Sequence, residues 1–217
     1  MTFLEAINAV LRRLREDTVV SSNSTDYSKL IGDFVNQALY ECEHAWDWNC
    51  LKDTITVTTV ASTAKYDFHT ADVKIIEAVN DTKDWYMKVI PANYQMAHDY
   101  IINLQDGSPY FYSFEGKNGS YSQIKLTPTP TGVESIVFSV IKYTAEKEID
   151  GTDDADSILI PTLPVVLNAY ARAVSERGED GGIGINEADM AYRNTLADAI
   201  SMDAGLNHPL EHQWHVI

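Results

Sequence analysis

The feature that most limits how this chain can fold is a change in its apolar period. Tyr27, Leu30, Ile31, Phe34, Val35, Ala38, Leu39, Cys42, Ala45 and Trp46 recur at i, i+3, i+4 and i+7 over about five turns. That spacing places them along one stripe of a single amphipathic helix. Asp33, Asn36, Gln37, Glu41 and Glu43 fall between them. The period then switches. Thr54-Ile55-Thr56-Val57-Thr58-Thr59-Val60 is rich in β-branched residues and partly alternates, which predicts a strand. Helical spacing returns after Pro161, so two helical regions bracket a β-rich middle.

The same reasoning fills in the rest. Thr2 and Glu5 form a capping-box pattern before Phe3, Ile7, Val10, Leu11 and Leu14, which predicts a first helix. Residues 73–79 and 85–90 predict two strands joined by a turn at Asn80-Asp81-Thr82-Lys83. A short helix is predicted between Pro91 and Leu104, with Pro91 at its first turn. Residues 110–114 and 123–126 flank Lys117-Asn118-Gly119-Ser120, a hairpin signal with a loop longer than the minimum. Residues 135–143 are apolar on both faces, as in a central strand. Leu163, Val166, Leu167, Tyr170 and Val174 form the stripe of another helix, ended by Glu179-Asp180-Gly181-Gly182. Asn186 caps a last helix through Ala188, Ala191, Tyr192, Thr195, Leu196, Ala199 and Ile200.

The expected fold class is α+β: N- and C-terminal helices forming a helical bundle, with an inserted antiparallel β-sheet region. The expected divisions are N-terminal helices over 1–53, the β-rich insert over 54–146, an acidic linker over 147–159, C-terminal helices over 160–204 and an extended tail over 205–217.

Charge excludes one class of function. The chain carries 32 acids against 16 bases, a net charge of −16, whereas a groove that grips nucleic acid needs a basic face. Cys42 and Cys50 lie roughly 12 Å apart along a helix, beyond disulfide reach, so both are expected to be reduced thiols in a cytosolic setting. Met1-Thr2-Phe3-Leu4-Glu5 lacks the basic start and apolar run of a signal peptide. No apolar stretch has the length of a membrane helix, so no membrane contact is expected. The sequons at Asn23, Asn80 and Asn118 are then without meaning.

No catalytic signature stands in the sequence: a nucleophile elbow, a phosphate-binding glycine loop and a zincin motif are all absent. No cofactor is implied. Asp150-Gly151-Thr152-Asp153-Asp154-Ala155-Asp156 departs from the calcium-loop pattern and reads as a solvated connector. His208, His212 and His215 have helical zinc spacing, but Pro209 interrupts the set, and a docking tail is the preferred reading over a metal site. Glu41, Glu43, Asp47 and Asp53 suggest a carboxylate pair for glycoside hydrolysis only if a cleft sets their separation. Tyr110, Tyr112 and Phe114 alternate on one strand: exposed, they would stack on sugar rings; buried, they are sheet packing.

Four stretches in order carry a family resemblance. A long helix ends in Trp46-Asp47-Trp48 before the first strand. Lys65-Tyr66-Asp67-Phe68 precedes a strand starting near Asp72. Gly107-Ser108-Pro109-Tyr110-Phe111-Tyr112 leads through a hairpin to Ile124-Lys125-Leu126-Thr127-Pro128-Thr129-Pro130 and a long strand ending at Tyr143. Ile160-Pro161 opens a helix that closes on Glu179-Asp180. This order, over residues 3 to 203, resembles the head-to-tail adaptor (connector) proteins of tailed bacteriophages, including tail tubular protein A of short-tailed phages.

The resemblance implies a structural virion protein, not an enzyme. It implies a homo-oligomeric ring, usually of twelve subunits, assembled in the host cytoplasm and placed at the head-tail neck below the portal protein. The ring would extend the channel for genomic DNA, without sequence-specific binding, and offer a platform to a downstream tail or nozzle protein. Leu206-Asn207-His208-Pro209-Leu210-Glu211-His212-Gln213-Trp214-His215-Val216-Ile217 then becomes the candidate portal-docking tail, with Leu210 and Trp214 as apolar anchors. Asp33, Glu41 and Glu43 become candidate channel-lining acids that repel phosphate. The alternative is a carbohydrate-binding or cell-wall-degrading virion module built on the aromatic β region.

Overall fold

A computed structural model describes residues 1–69, 73–91, 94, 105–178 and 185–206. The chain divides into two compact units: Met1–Cys50 with Thr144–Ile217, and Leu51–Tyr143.

The first unit is helical. Helix α1 spans Phe3–Arg13 and opens on the Thr2/Glu5 capping box, with both reciprocal hydrogen bonds formed. It buries Phe3, Ile7, Val10 and Leu11 of the predicted stripe, together with Ala6, while Leu14 is the half-buried C-cap. Helix α2 spans Asp26–His44 and opens on a second reciprocal cap, Thr25 with Ser28. It buries Ile31, Val35, Ala38, Leu39 and Cys42. Helix α3 spans Thr162–Arg177 and ends on Gly178 in the left-handed region at φ 62°. That glycine, and not the later Gly181-Gly182 pair, is the stop signal the structure uses; residues 179–184 lie outside the described residues. Helix α4 spans Ile185–Leu206. Helix α3 packs on α1, α2 and α4. Alanines at 169, 171 and 173 are buried in α3, which permits close approach.

The second unit is a mixed sheet of seven strands: β1 Lys52–Thr58, β2 Lys65–His69, β3 Val73–Asn80, β4 Trp85–Val89, β5 Phe111–Asn118, β6 Tyr121–Thr127 and β7 Ser135–Lys142. Their order is β1-β7-β3-β4-β5-β6-β2. Strand β7 is central, flanked by β1 and β3. All pairings are antiparallel except β4 with β5, which run parallel through Lys88↔Phe111 and Val89↔Tyr112.

The expected helical bundle with an inserted antiparallel sheet is corrected by these pairings. The middle is a nearly closed, barrel-like sheet with its own core, and helices stand at both ends of the chain. Two features escaped the pattern reading. Residues 65–69 form strand β2, which pairs with β6 and carries the sheet round toward β1. Register shifts at Ile75/Glu77, Phe114/Gly116 and Asp67/His69 add local twist, which curls a sheet toward closure. The β5–β6 turn is also tighter than expected. Asn118 pairs with Tyr121, leaving only Gly119-Ser120, and Gly119 takes φ 60° as such a turn requires.

The barrel interior holds Val57, Phe68, Ala78, Met87, Tyr112, Ile124, Leu126, Ile136, Phe138 and Val140. Phe138 sits at its centre, edge-on to Phe68 at 5.0 Å and to Tyr112 at 5.4 Å between ring centroids. A polar cluster that includes Thr59, Asn80 and Glu134 is buried beside this core. Glu134 accepts from Asn80 Nδ2 at 2.6 Å and from Ser108 Oγ at 2.5 Å. Its backbone N–H donates to Thr59 Oγ1 at 2.7 Å. The short helix expected between residues 91 and 104 falls largely outside the described residues.

Candidate functional site

The helical unit holds the features that bear on function. The first is a strap. On re-entering this unit at Thr144, the chain runs back along α2 toward its N-terminus. Thr144 donates its N–H (2.8 Å) and Oγ1 (2.5 Å) to Glu43. Asn36 clasps Lys147: its Nδ2 donates to the Lys147 carbonyl at 2.9 Å, and the Lys147 N–H donates to Asn36 Oδ1 at 3.2 Å. Ile149 packs over Gly32, where an added Cβ would lie 3.2 Å from its Cγ2. The Ser22 N–H donates to Asp154.

The geometry explains why the strap fits. Eleven residues of helix between Gly32 and Glu43 rise about 16 Å. Five extended residues between Thr144 and Ile149 span about the same distance. The strap therefore stays in register with α2. It then meets α1, where the Phe3 and Leu4 N–H groups donate to the Asp156 and Asp154 carbonyls. An antiparallel bridge joins Thr2 and Ser157. Burial would raise the Asp154 carboxyl, but hydrogen bonds from Ser22 and Ser21 outweigh it and hold the pKa below the usual range. Asp150 is likewise lowered, by hydrogen bonds from the Thr152 side chain and backbone. Many of the acids in 147–159 are thus hydrogen-bonded anchors, a role the run of charge alone did not show.

The second feature is a polar seam between α2 and α3. Arg172 reaches Glu41, Gln37 and Asn168, and Asn168 Nδ2 donates to the other Glu41 oxygen at 2.8 Å. Burial would lift the Glu41 carboxyl, yet the Asn168 and Arg172 hydrogen bonds hold it low. This seam forms one wall of an open groove of about 700 Å³ that also runs along Asp189, Tyr192 and Arg193 of α4. Both oxygens of the Glu41 carboxylate are engaged, and Arg193 is held by Asp189. The groove therefore offers charge and hydrogen bonding but no poised nucleophile–base pair among the described residues.

The third feature lies where α2 ends. Trp48 is 1% exposed, and its Nε1 donates to the Cys42 carbonyl at 2.8 Å. Trp46 Nε1 donates to Asp203 Oδ2 at 2.9 Å, and Asn49 donates to the same oxygen and to the Asp203 carbonyl. Asp203 thus pins the end of α4 to the end of α2, three residues before Leu206. Sequence reasoning singled out the tryptophans but missed Asp203, because nothing in its own segment marks a partner more than 150 residues away.

The candidate residues are placed as follows. Asp33 is exposed on α2, Glu41 is in the polar seam, and Glu43 is 1% exposed with its carboxylate held by Thr144. Leu206 is 77% exposed. Asn207, His208, Pro209, Leu210, Glu211, His212, Gln213, Trp214, His215, Val216 and Ile217 lie outside the described residues. In the sheet, Tyr112 is 5% exposed and belongs to the barrel core, while Tyr110 and Phe114 are exposed. The three do not form one continuous exposed platform. No group of three or more metal-ligating side chains occurs among the described residues, and none of the described helices is long and apolar enough to cross a membrane.

Compared with known proteins, residues 1–211 match the family described as SU10 adaptor protein. No curated protein matches the chain.

Proposed function

The chain belongs to the SU10 adaptor protein family, a family of structural phage proteins and not of enzymes, and from that premise we propose that it is the head-to-tail adaptor of a virion. In this reading it forms a homo-oligomeric ring of twelve subunits below the portal protein, at the neck. The ring extends the channel through which genomic DNA passes and carries the downstream tail protein. The observation that carries the reading is the family match over 211 of 217 residues.

The charge distribution supports a division of labour. The helical unit has 22 acids and 8 bases, a net −14, whereas the barrel unit has 10 acids and 8 bases, a net −2. A ring whose helical units face the channel presents an anionic wall, so DNA slides and does not adhere. Asp33 and Glu41 are the exposed channel-lining candidates on α2, Glu41 with its carboxylate engaged by Arg172 and Asn168, whereas Glu43 is buried. Residues 206–217 are the portal-docking segment, anchored by Leu210 and Trp214 and launched from the Asp203 pin. Burial of Tyr112 interrupts the Tyr110–Tyr112–Phe114 stripe on which the carbohydrate-binding alternative rests.

Sedimentation velocity of the full chain with the portal protein of the same virion tests this. A complex of defined stoichiometry is expected, lost on deletion of residues 206–217. Absence of binding by the full chain would refute the adaptor reading.

A further inference from the structure

The helical unit contains eight basic side chains, and five of them are ion-paired: Lys29 with Asp26, Lys147 with Asp156, Arg172 with Glu41, Arg177 with Glu16 and Arg193 with Asp189. The remaining three are Arg12, Arg13 and Arg15, clustered at the end of α1, exposed, and without an ion pair among the described residues. In a unit of net charge −14 this is the one concentration of unspent positive charge.

Arg15 is the informative member. It stands just past the helix at φ 60°, where its N–H donates to the Arg12 carbonyl and the Glu16 N–H donates to the Leu11 carbonyl. Those two bonds are the Schellman arrangement, whose left-handed position favours glycine. The chain holds an arginine there against that preference. Helix termination alone would be better served by glycine.

We infer that Arg12, Arg13 and Arg15 are a docking surface for a second copy of this chain, and that they meet the acidic edge of its strap at Glu146, Glu148 and Asp150. These carboxylates are exposed, and no ion pair holds them among the described residues. The two surfaces are unlike and lie on one protomer, and neither satisfies the other within it. That is the requirement for head-to-tail contact that closes into a ring, whereas a two-fold contact would set like patch against like. The inference rests on the adaptor reading, which calls for such a ring. Exposed ion pairs hold little energy singly but set register and partner, and they weaken with salt.

The test is sedimentation velocity of the full chain, alone and with the portal protein, at low and high NaCl. Arg12→Glu/Arg13→Glu/Arg15→Glu is expected to raise the concentration for half-assembly by about thirtyfold or more. Glu146→Lys/Glu148→Lys/Asp150→Lys should do the same, and the six reversals in one chain should restore assembly. Arg15→Gly separates docking from folding: its melting temperature should hold or rise while assembly weakens about threefold. Rings that form equally well in wild type and both reversals overturn the inference and leave the adaptor reading standing. A wild-type chain that neither assembles nor binds portal removes the adaptor reading and this inference with it. Loss of duplex-DNA retention in the arginine variant, with rings unaffected, would assign the cluster to nucleic acid and refute the contact between copies.

Discussion

Replacing Asn36 by alanine should release the strap from α2. The Asn36 amide offers one donor and one acceptor, and Lys147 in the extended strap offers the matching pair at 2.9 and 3.2 Å. Asn36 is 7% exposed, so its own amide has little recourse to water. Alanine removes both bonds and leaves the Lys147 N–H and carbonyl without protein partners. A net hydrogen bond contributes about 0.5–1.5 kcal/mol, so the pair amounts to about 2 kcal/mol. For a chain of this size that lowers the melting temperature by about 4–8 °C.

Asn36→Asp sharpens the argument. It keeps the acceptor for the Lys147 N–H but sets a carboxylate oxygen against the Lys147 carbonyl. That raises the folded-state pKa of the new carboxyl above its unfolded value near 3.9. A group raised in the folded state is least harmful below the unfolded pKa, and its penalty grows as pH rises through the folded value. The Asp variant should therefore lose more than the Ala variant at pH 7 and recover toward it near pH 4. Thermal unfolding followed by circular dichroism at 222 nm gives the stabilities, and amide hydrogen exchange over residues 144–149 reports the strap itself. A melting temperature within 1 °C of wild type, with unchanged exchange in that segment, would refute the clasp.

Gly151→Ala should cost about 1–3 kcal/mol in chemical denaturation, because Gly151 takes φ 99° and an added Cβ would lie 2.8 Å from Ser21 Oγ. Ser21→Gly relieves the clash but also removes the Ser21 hydroxyl's hydrogen bonds with Asp154 and Asn23, so the clash component is read from the double variant against the Ser21→Gly single variant. Trp48→Ala should cost about 3–5 kcal/mol by the same measurement, whereas Trp48→Phe loses chiefly the hydrogen bond to the Cys42 carbonyl. A thiol reagent should label exposed Cys50 in the native protein and Cys42 only on unfolding, since burial pushes the Cys42 thiol up to about 12. A folded pKa raised from 9.0 means stability intact below about pH 9 and lost as pH climbs toward 12, which an alkaline unfolding titration would show. Glu134→Ala should lower the melting temperature of the barrel unit, because Ser108 loses its carboxylate acceptor and Asn80 keeps only the longer bond to the Pro109 carbonyl.

The sequence by itself determined the local elements. The i, i+3, i+4 stripes of α1 and α2 and the Thr2/Glu5 cap were legible, because each depends only on neighbours within a few residues. The breadth of apolar character in residues 135–143 rightly marked a strand covered on both edges. The net charge was legible, though not its concentration in the helical unit. Tertiary structure decided what depends on pairing between distant segments. Strand β2 is short and weakly patterned, and its identity comes from β6. The parallel β4–β5 step and three register shifts curl the sheet where the pattern suggested a simple insert. The strap fits α2 because extended chain and helix advance at rates that match over the contact, and no window of sequence contains both partners. For the same reason the arginines at the end of α1 became notable only once every other cation of that unit had found its acid.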